Sequence, residues 1–461
     1  MSTVQESTTT ALDDAVVALA EWASAVGGDR SPLPASVDAA LDRVLANLLA
    51  VTAGGAATTP QRELVAAWDP EPGSATLVGT GLRVSVEAAA WLNGVAAVSM
   101  ERDEGHRESK GHPSAQAFPA VLALAERLGS SGPLTRRALL VAYEVGARLG
   151  RATVFDPGVH THGTFGVAGA AAGCAVLLGL DAAGIRTAID AGCALPVSTS
   201  WAPVMAGSSV RDQWIGAGNV AGIAAARFAA IRPRERVSGL EPGLGGRLGT
   251  VDPVVLVQGL ADGEWLIEHG YLKRWSACAY THGPADAALR ARSLLASSGR
   301  SLADVESIET VVTGKAAELT ATTWSTRHGA YFSVPFAVAS ALVNGDVDHA
   351  RSDPSRAEAL LPVSALVRVR EASADDGPLF APSPRRPARV VLTLRDAPPI
   401  SVDVEHPLGD SDLAPFTAPV VLGLLDAALT DVDGIEAGDV LAAVEALHHD
   451  RPVSGALAAL G

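Results

Sequence analysis

Between Asn93 and Glu126 the chain reads NGVAAVSMERDEGHRESKGHPSAQAFPAVLALAE. Three carboxylates (Glu101, Asp103, Glu104), two imidazoles (His106, His112) and three cations (Arg102, Arg107, Lys110) crowd a short polar segment between apolar stretches. Carboxylates beside imidazoles are the groups that move protons, and neighbouring cations can hold an anion while they do so. The apolar flanks Trp91–Met100 and Ser114–Leu128 predict buried helices, with Pro113 at a helix start, where its missing N–H costs nothing. The polar groups therefore fall at a helix end and a helix start, beside unpaired backbone N–H groups. A solvated interhelical loop with ordinary caps is the competing reading.

Three further clusters carry comparable chemistry. FDPGVHTHGTF (155–165) places His160 and His162 before a Gly/Ala helix. A His-x-His pair can ligate zinc, with Asp103, His106 or His112 completing the site, but no HExxH or other recognised metal spacing is present. Paired histidines at a helix start serve equally as proton donors and anion ligands. SSVRDQWIGAG (208–218) puts Arg211 and Asp212 near another helix start, where a guanidinium fork matches a carboxylate, unless the two form only a surface pair. YLKRWSACAYTH (271–282) offers Lys273 and Arg274 as cations and Cys278, Tyr280 and His282 as groups with tunable pKa, at a change of texture that is either a cleft or a solvated hinge. Cys278 lacks a local nucleophile signature.

The elements that must position these clusters are mostly helical as far as Arg232. After a disordered start, Asp13 or Asp14 caps a helix through Trp22, and Ser36–Val51 follows with Val37, Leu41, Val44 and Leu48 on one face. Helices are then expected over Ser85–Met100, Ser114–Leu128, Thr135–Leu149, Gly166–Leu180, Ala182–Cys193 and Gly216–Ile231, rich in Ala and Gly and so closely packed. The Gly/Pro-rich stretch Pro233–Thr250 reads as an interhelical loop, since GLGGRLG matches no phosphate-binding motif. Beyond Trp275 strand patterns appear at Ser307–Thr313, Ala365–Arg370, Ala388–Leu394 and Ile400–Val404, with helices at Pro284–Ser297 and Val334–Leu342. Helices return at Thr417–Leu429 and Gly438–Leu447. The fold class is mostly α, a large all-helical domain plus a smaller α+β lid with an antiparallel sheet. Residues 1–270 form the first part of the helical domain, 271–405 the lid, and 406–461 return to the helices.

A chain of 461 residues exceeds what one core normally serves. Its 51 Asp plus Glu against 35 Lys plus Arg argue against nucleic-acid or anionic-membrane binding, though not against an anion held by cations within a cleft. Three widely spaced cysteines, Cys174, Cys193 and Cys278, and the polar N-terminus predict a reducing, cytoplasmic setting. The most apolar run, 167–180, is too short to span a bilayer.

Taken in order, GHPSAQAFPAVLALAE, GVHTHGTFGVAGAAAG, VRDQWIGAGNVAGIAAARFA, LKRWSACAYTH and YFSVPFAVASALVNGDV resemble the signature segments of the MmgE/PrpD (2-methylcitrate dehydratase) family. That family also includes cis-aconitate decarboxylases and iminodisuccinate epimerases. The resemblance covers nearly the whole chain. It implies a homodimer with a cleft between helical domain and lid that needs no cofactor or metal. It also implies removal of a proton next to a carboxylate of a small di- or tricarboxylic acid, followed by loss of water or carbon dioxide or by reprotonation on the other face.

Position by position, the resemblance puts Asp103 and His112 on the family's acidic and His-Pro positions, His160 on its turn histidine and Lys273 on its junction lysine. On this basis His112 and His160 transfer protons, Lys273 binds carboxylate or transfers a proton, and Asp103 orients or acts as base. His106, His162, Arg211, Arg274, Cys278 and His282 are the expected substrate contacts. Three departures stand out: Glu101 where the cis-aconitate decarboxylases resemble one another in having Asp, Arg211 in place of their lysine, and Cys278 near their second junction histidine. They favour dehydration or epimerisation over decarboxylation. Arg211 gives up its proton too reluctantly for acid–base work, and His162 is the expected substitute. A metal-dependent hydrolase using His160 and His162, and a non-catalytic carboxylate-binding dimer, are the alternatives.

Overall fold

The computed structural model describes residues 2–29, 31–381 and 385–461. Helices α1 (Ser2–Gly28), α2 (Ala35–Ala56) and α3 (Thr59–Trp68) lead to a hairpin of β1 (Pro72–Leu77) and β2 (Leu82–Val84). There follow α4 (Val86–Ser99), β3 (Gly105–His106), α5 (Pro113–Leu128), α6 (Gly132–Ala152), β4 (Thr153–Phe155), α7 (Gly166–Leu177), α8 (Ala182–Cys193), α9 (Trp201–Met205) and α10 (Val210–Ile231). Local chemistry sets several of these ends. The Ser85 hydroxyl accepts from the Ala88 N–H at the start of α4, Asp181 caps α8 through the Gly184 N–H, and Gly129, left-handed at φ 63°, stops α5.

The chain's start is helical, not disordered. Leu12, Val16, Leu19 and Ala23 recur at helical spacing and are buried, so packing carries the helix past its weak Thr/Ser-rich beginning. Asp13 therefore lies inside α1, ion-paired with Arg186 and Arg236, and caps nothing. The expected loop 233–250 instead holds a π-helical turn (Leu240–Gly245), the short α11 (Gly246–Leu248) and the start of β5 (Gly249–Val251), which pairs with β4.

After α12 (Pro253–Val257) and β6 (Gly270–Tyr271), α13 (Ala279–Ser297) opens the strand-bearing unit. Its sheet runs β10 (Ala397–Val404), β9 (Ala388–Leu394), β7 (Val305–Val312), β8 (Val367–Glu371). β9 is antiparallel to both neighbours, as expected, but β8 lies parallel to β7 with Ile308 opposite Val367. The chain between them runs through α14 (Arg327–Tyr331), α15 (Val334–Asn344) and α16 (Leu361–Ser364), a crossover of the kind parallel pairing requires. Helices α17 (Ala418–Ala428), α18 (Ala437–Ala446) and α19 (Val453–Leu457) end the chain.

Buried side chains form two large clusters. One draws on residues 12–267 and, from the chain end, Leu425–Leu460; the other on Val204 and residues 275–404. In the first, α7 is buried throughout and lies so close to α6 that a Cβ on Gly169 would sit 2.6 Å from the Ala142 carbonyl oxygen. Helix α10, long and apolar enough to cross a bilayer, is instead packed against α4, α7 and α8. The Gly169→Ala variant should lose about 1–3 kcal/mol in urea unfolding through forced helix separation. Gly438→Ala, whose Cβ meets nothing within 4 Å, should be neutral or slightly stabilising; equal effects would contradict this account of the packing.

Candidate active site

The polar segment after α4 is drawn to the start of the second cluster by a two-residue pairing, Gly105 with Tyr271 and His106 with Gly270. Glu104 anchors it: its N–H donates to Asn47 Oδ1 (2.8 Å), and its carboxylate accepts from Tyr143 Oη (2.6 Å) and Ser114 Oγ (2.6 Å). The Glu104 carbonyl oxygen thereby sits 2.7 Å from His112 Nδ1, and Asp103 Oδ2 lies 2.8 Å from the same nitrogen. Both neighbours are acceptors, so Nδ1 carries a hydrogen and Nε2 is the nitrogen left to exchange a proton. His112, the residue before helix α5, lines a cavity of about 160 Å³.

A buried ion cluster adjoins this cavity, and two of its members, Glu101 and Arg211, line it. Lys273 Nζ is 2.7 Å from Glu101 Oε1 and 3.2 Å from Asp103 Oδ1; Arg211 Nη1 is 2.6 Å from Glu101 Oε2 and 3.1 Å from Asp212 Oδ1. Burial alone would raise the pKa of both Glu101 and Asp103. Arg211 and Lys273 outweigh it at Glu101, while His112 and Lys273 outweigh it at Asp103, so both stay carboxylates, Asp103 far below its usual range. Burial opposes the Lys273 charge in turn, but Asp103 and Glu101 hold its pKa above the ordinary lysine value.

The turn before α7 brings in the other two histidines. Gly163, left-handed at φ 70°, donates its N–H to Gln116 Oε1 (2.9 Å), and any Cβ there would strike the Trp214 carbonyl oxygen. His160 Nδ1 accepts from the His162 N–H (3.3 Å), which leaves a hydrogen on His160 Nε2. His162 Nδ1 meets the Arg211 carbonyl oxygen (3.3 Å), so its Nε2 accepts from Arg211 Nη2 (3.1 Å). Burial, then Arg211, pushes both imidazoles well below the ordinary histidine pKa, so both are neutral.

The structure sorts the expected site residues into two groups. His106, His112, His160, His162, Arg211 and Cys278 line the cavity. Asp103, Lys273, Arg274 and His282 do not. Lys273 is held on two carboxylates away from the cavity, and Asp103 lies against His112. Arg274 turns outward over the Trp275 ring (4.4 Å) toward Asp286, and His282 Nε2 is tied to the Ala277 carbonyl oxygen (3.1 Å). His162, the expected acid, has its lone pair on a guanidinium instead. Burial pushes the Cys278 thiol up to about 11, which keeps it protonated.

Several lining groups escaped the sequence reading. Arg386, Tyr271, Trp201 and Phe332 join the wall with Arg107 and Lys110, so four cations (Arg107, Lys110, Arg211, Arg386) face the cavity against one carboxylate, Glu101. Such a lining suits a ligand with more than one negative charge. Among the described residues, no three His, Cys, Asp or Glu are grouped to hold a metal ion, and the His160/His162 pair faces Arg211.

The family model for the MmgE/PrpD N-terminal domain matches residues 17–231, and that for the MmgE/PrpD C-terminal domain residues 275–434. The chain belongs to the MmgE/PrpD family. Among its relatives, cis-aconitate decarboxylase of Homo sapiens is 32% identical over 245 residues, covering 50% of this chain and 49% of that protein. That of Mus musculus is 29% identical over 238 residues (49% and 47%), and that of Aspergillus terreus 28% identical over 131 residues (26% and 27%). The match thus spans about half the length, or less, of these relatives.

In this MmgE/PrpD protein the buried neutral histidines also set an acid limit. Burial lowers the pKa of His106 and His282 to about 3 and that of His349 to about 4, with His160 and His162 shifted the same way. Below a pH of about 6.5 the unfolded chain takes up protons that the fold does not, so stability is full above that pH and falls as pH drops toward the folded values. Thermal melts should show Tm declining steadily from pH 7 to pH 5, each histidine contributing at most about 1.4 kcal/mol per pH unit. A Tm that is flat across this range would mean that these imidazoles protonate freely in the fold.

Proposed function

We propose that this protein is a metal-independent lyase or isomerase. It moves a proton at the carbon next to a carboxylate of a small di- or tricarboxylic acid, leading to dehydration or epimerisation. The observation that carries the reading is His112, whose Nδ1–H is held by the Glu104 carbonyl with Asp103 Oδ2 2.8 Å away, which leaves Nε2 as the nitrogen for proton exchange on the cavity wall. A base so oriented, backed by a carboxylate that stabilises the imidazolium as it forms, is suited to a weakly acidic carbon. Substrate carboxylates meet Arg107, Lys110, Arg211 and Arg386. The enolate-like charge is stabilised by Arg211 and by the Nε2–H of neutral His160, donors already in place before the charge develops.

The relatives named cis-aconitate decarboxylase support a lyase and favour a second reading, loss of carbon dioxide from an unsaturated tricarboxylate. Glu101, Arg211 and Cys278 stand against it: the first two form one ion pair, so together they reshape the wall where the resemblance implies a shorter acid and a lysine. Product analysis separates the readings. Chelator-treated protein is incubated with citrate, methylcitrate, cis-aconitate, malate, aspartate and iminodisuccinate, and products are followed by NMR. Dehydrated or inverted products without added metal are expected, with turnover reduced about 10²–10⁴-fold in His112→Gln. A decarboxylated product would establish the second reading. Activity restored only by zinc, or tight binding without turnover of any compound, would contradict the proposal.

A further inference from the structure

Arg211 differs from the other cavity cations in what holds it. Its guanidinium is almost fully buried and meets Glu101, Asp212 and His162, with the Phe332 ring 5.2 Å from its central carbon. Unlike an ammonium, a guanidinium presents its hydrogens in a fixed planar fork, so its orientation decides which of them meets a ligand. Asp212 is the neighbour that ties this guanidinium to the lid. One of its oxygens takes Arg211 Nη1 at 3.1 Å, and the other lies 2.9 Å from His328 Nε2 on the lid helix α14.

The same lid segment touches the helical domain twice more. Thr326 Oγ1 donates to the Gly207 carbonyl oxygen (2.7 Å), and Phe332 supplies the ring against Arg211. The approach is close enough that a Cβ on Gly207, itself left-handed at φ 74°, would lie 2.7 Å from Thr326 Oγ1 and 3.0 Å from Gly329 Cα.

We propose that His328 is a positioning residue for Arg211, acting through Asp212, so that the seating of lid residues 326–332 determines how this cation is presented to the substrate. Removing the imidazole leaves Asp212 Oδ2 buried without a partner, and Asp212 then recovers a hydrogen bond by turning toward Arg211 and rotating the fork. The inference rests on Arg211 as a carboxylate-binding group. It explains why an arginine here needs an orienting acid where a lysine would not.

The test measures KM and kcat on the compound that turns over, and citrate affinity by calorimetry, for His328→Ala, His328→Gln, Arg211→Lys and the double variant. His328→Ala should raise KM and the citrate Kd about tenfold with kcat within about threefold, the signature of lost binding. His328→Gln, which keeps a donor, should recover most of that loss. With Arg211→Lys already present, His328→Ala should add less than about a twofold effect, because the two act as one unit. Unchanged KM in His328→Ala, or an equal loss on the Arg211→Lys background, would overturn the proposal. If the wild-type protein binds none of the carboxylates, the functional reading fails and hydrogen exchange decides this one: His328→Ala should deprotect residues 326–332 and 209–213 together. Deprotection of 326–332 alone would overturn it.

Discussion

Lys273 lies between two carboxylates with almost no access to water, and the site is arranged around that fact. A buried ammonium or carboxylate is tolerable only when paired, and removing one partner of such a pair typically costs about 3–5 kcal/mol. The pairs here join three distant segments: Glu101 and Asp103 after α4, Arg211 and Asp212 on α10, and Lys273 at the junction between the two clusters. Glu101 adopts a left-handed backbone, φ 51°, to take part, a conformation that costs a non-glycine residue about 1–2 kcal/mol. The ion pairs offset it.

This cluster divides the labour of the site. Lys273 is placed behind the wall, where it helps to keep Asp103 ionised beside His112, while Glu101 and Arg211 of the same cluster reach the cavity. The cavity wall itself carries imidazoles, a protonated thiol, one carboxylate (Glu101) and four cations, so cations outnumber carboxylates on it inside a chain whose net charge is −16. Bulk charge and site charge have opposite signs because only a few arginines are needed where solvent is excluded.

Helices with steady apolar spacing were legible in the sequence. The face Val37, Leu41, Val44, Leu48 is buried as expected, and Ala182–Cys193 is helical over the predicted range. What failed depends on distant partners. The pairing of β3 with β6 is two residues long and has no periodicity to detect. Arg386 reaches the cavity from the lead into β9, over the Tyr271 ring, and nothing local in PRRPAR marks it. The charge of Lys273 was legible, but its direction was not, because that follows from the β6 pairing and from which carboxylates lie beside it. The surroundings of His162 were hidden for a similar reason: its Nε2 meets Arg211, a contact set by the distant helix α10. Local sequence marks where charge collects, whereas tertiary contacts decide which charges face the ligand.

The central claim is that His112, oriented by Asp103 and Glu104, exchanges a proton with substrate carbon. Solvent deuterium incorporation tests it most directly, by comparing wild-type and His112→Gln protein in deuterium oxide with each turned-over carboxylic acid and reading the carbon-bound signal by NMR. The account predicts deuterium at the carbon next to a carboxylate with the wild-type protein and none above background with His112→Gln. Undiminished incorporation in His112→Gln would assign the proton transfer to another group and contradict it.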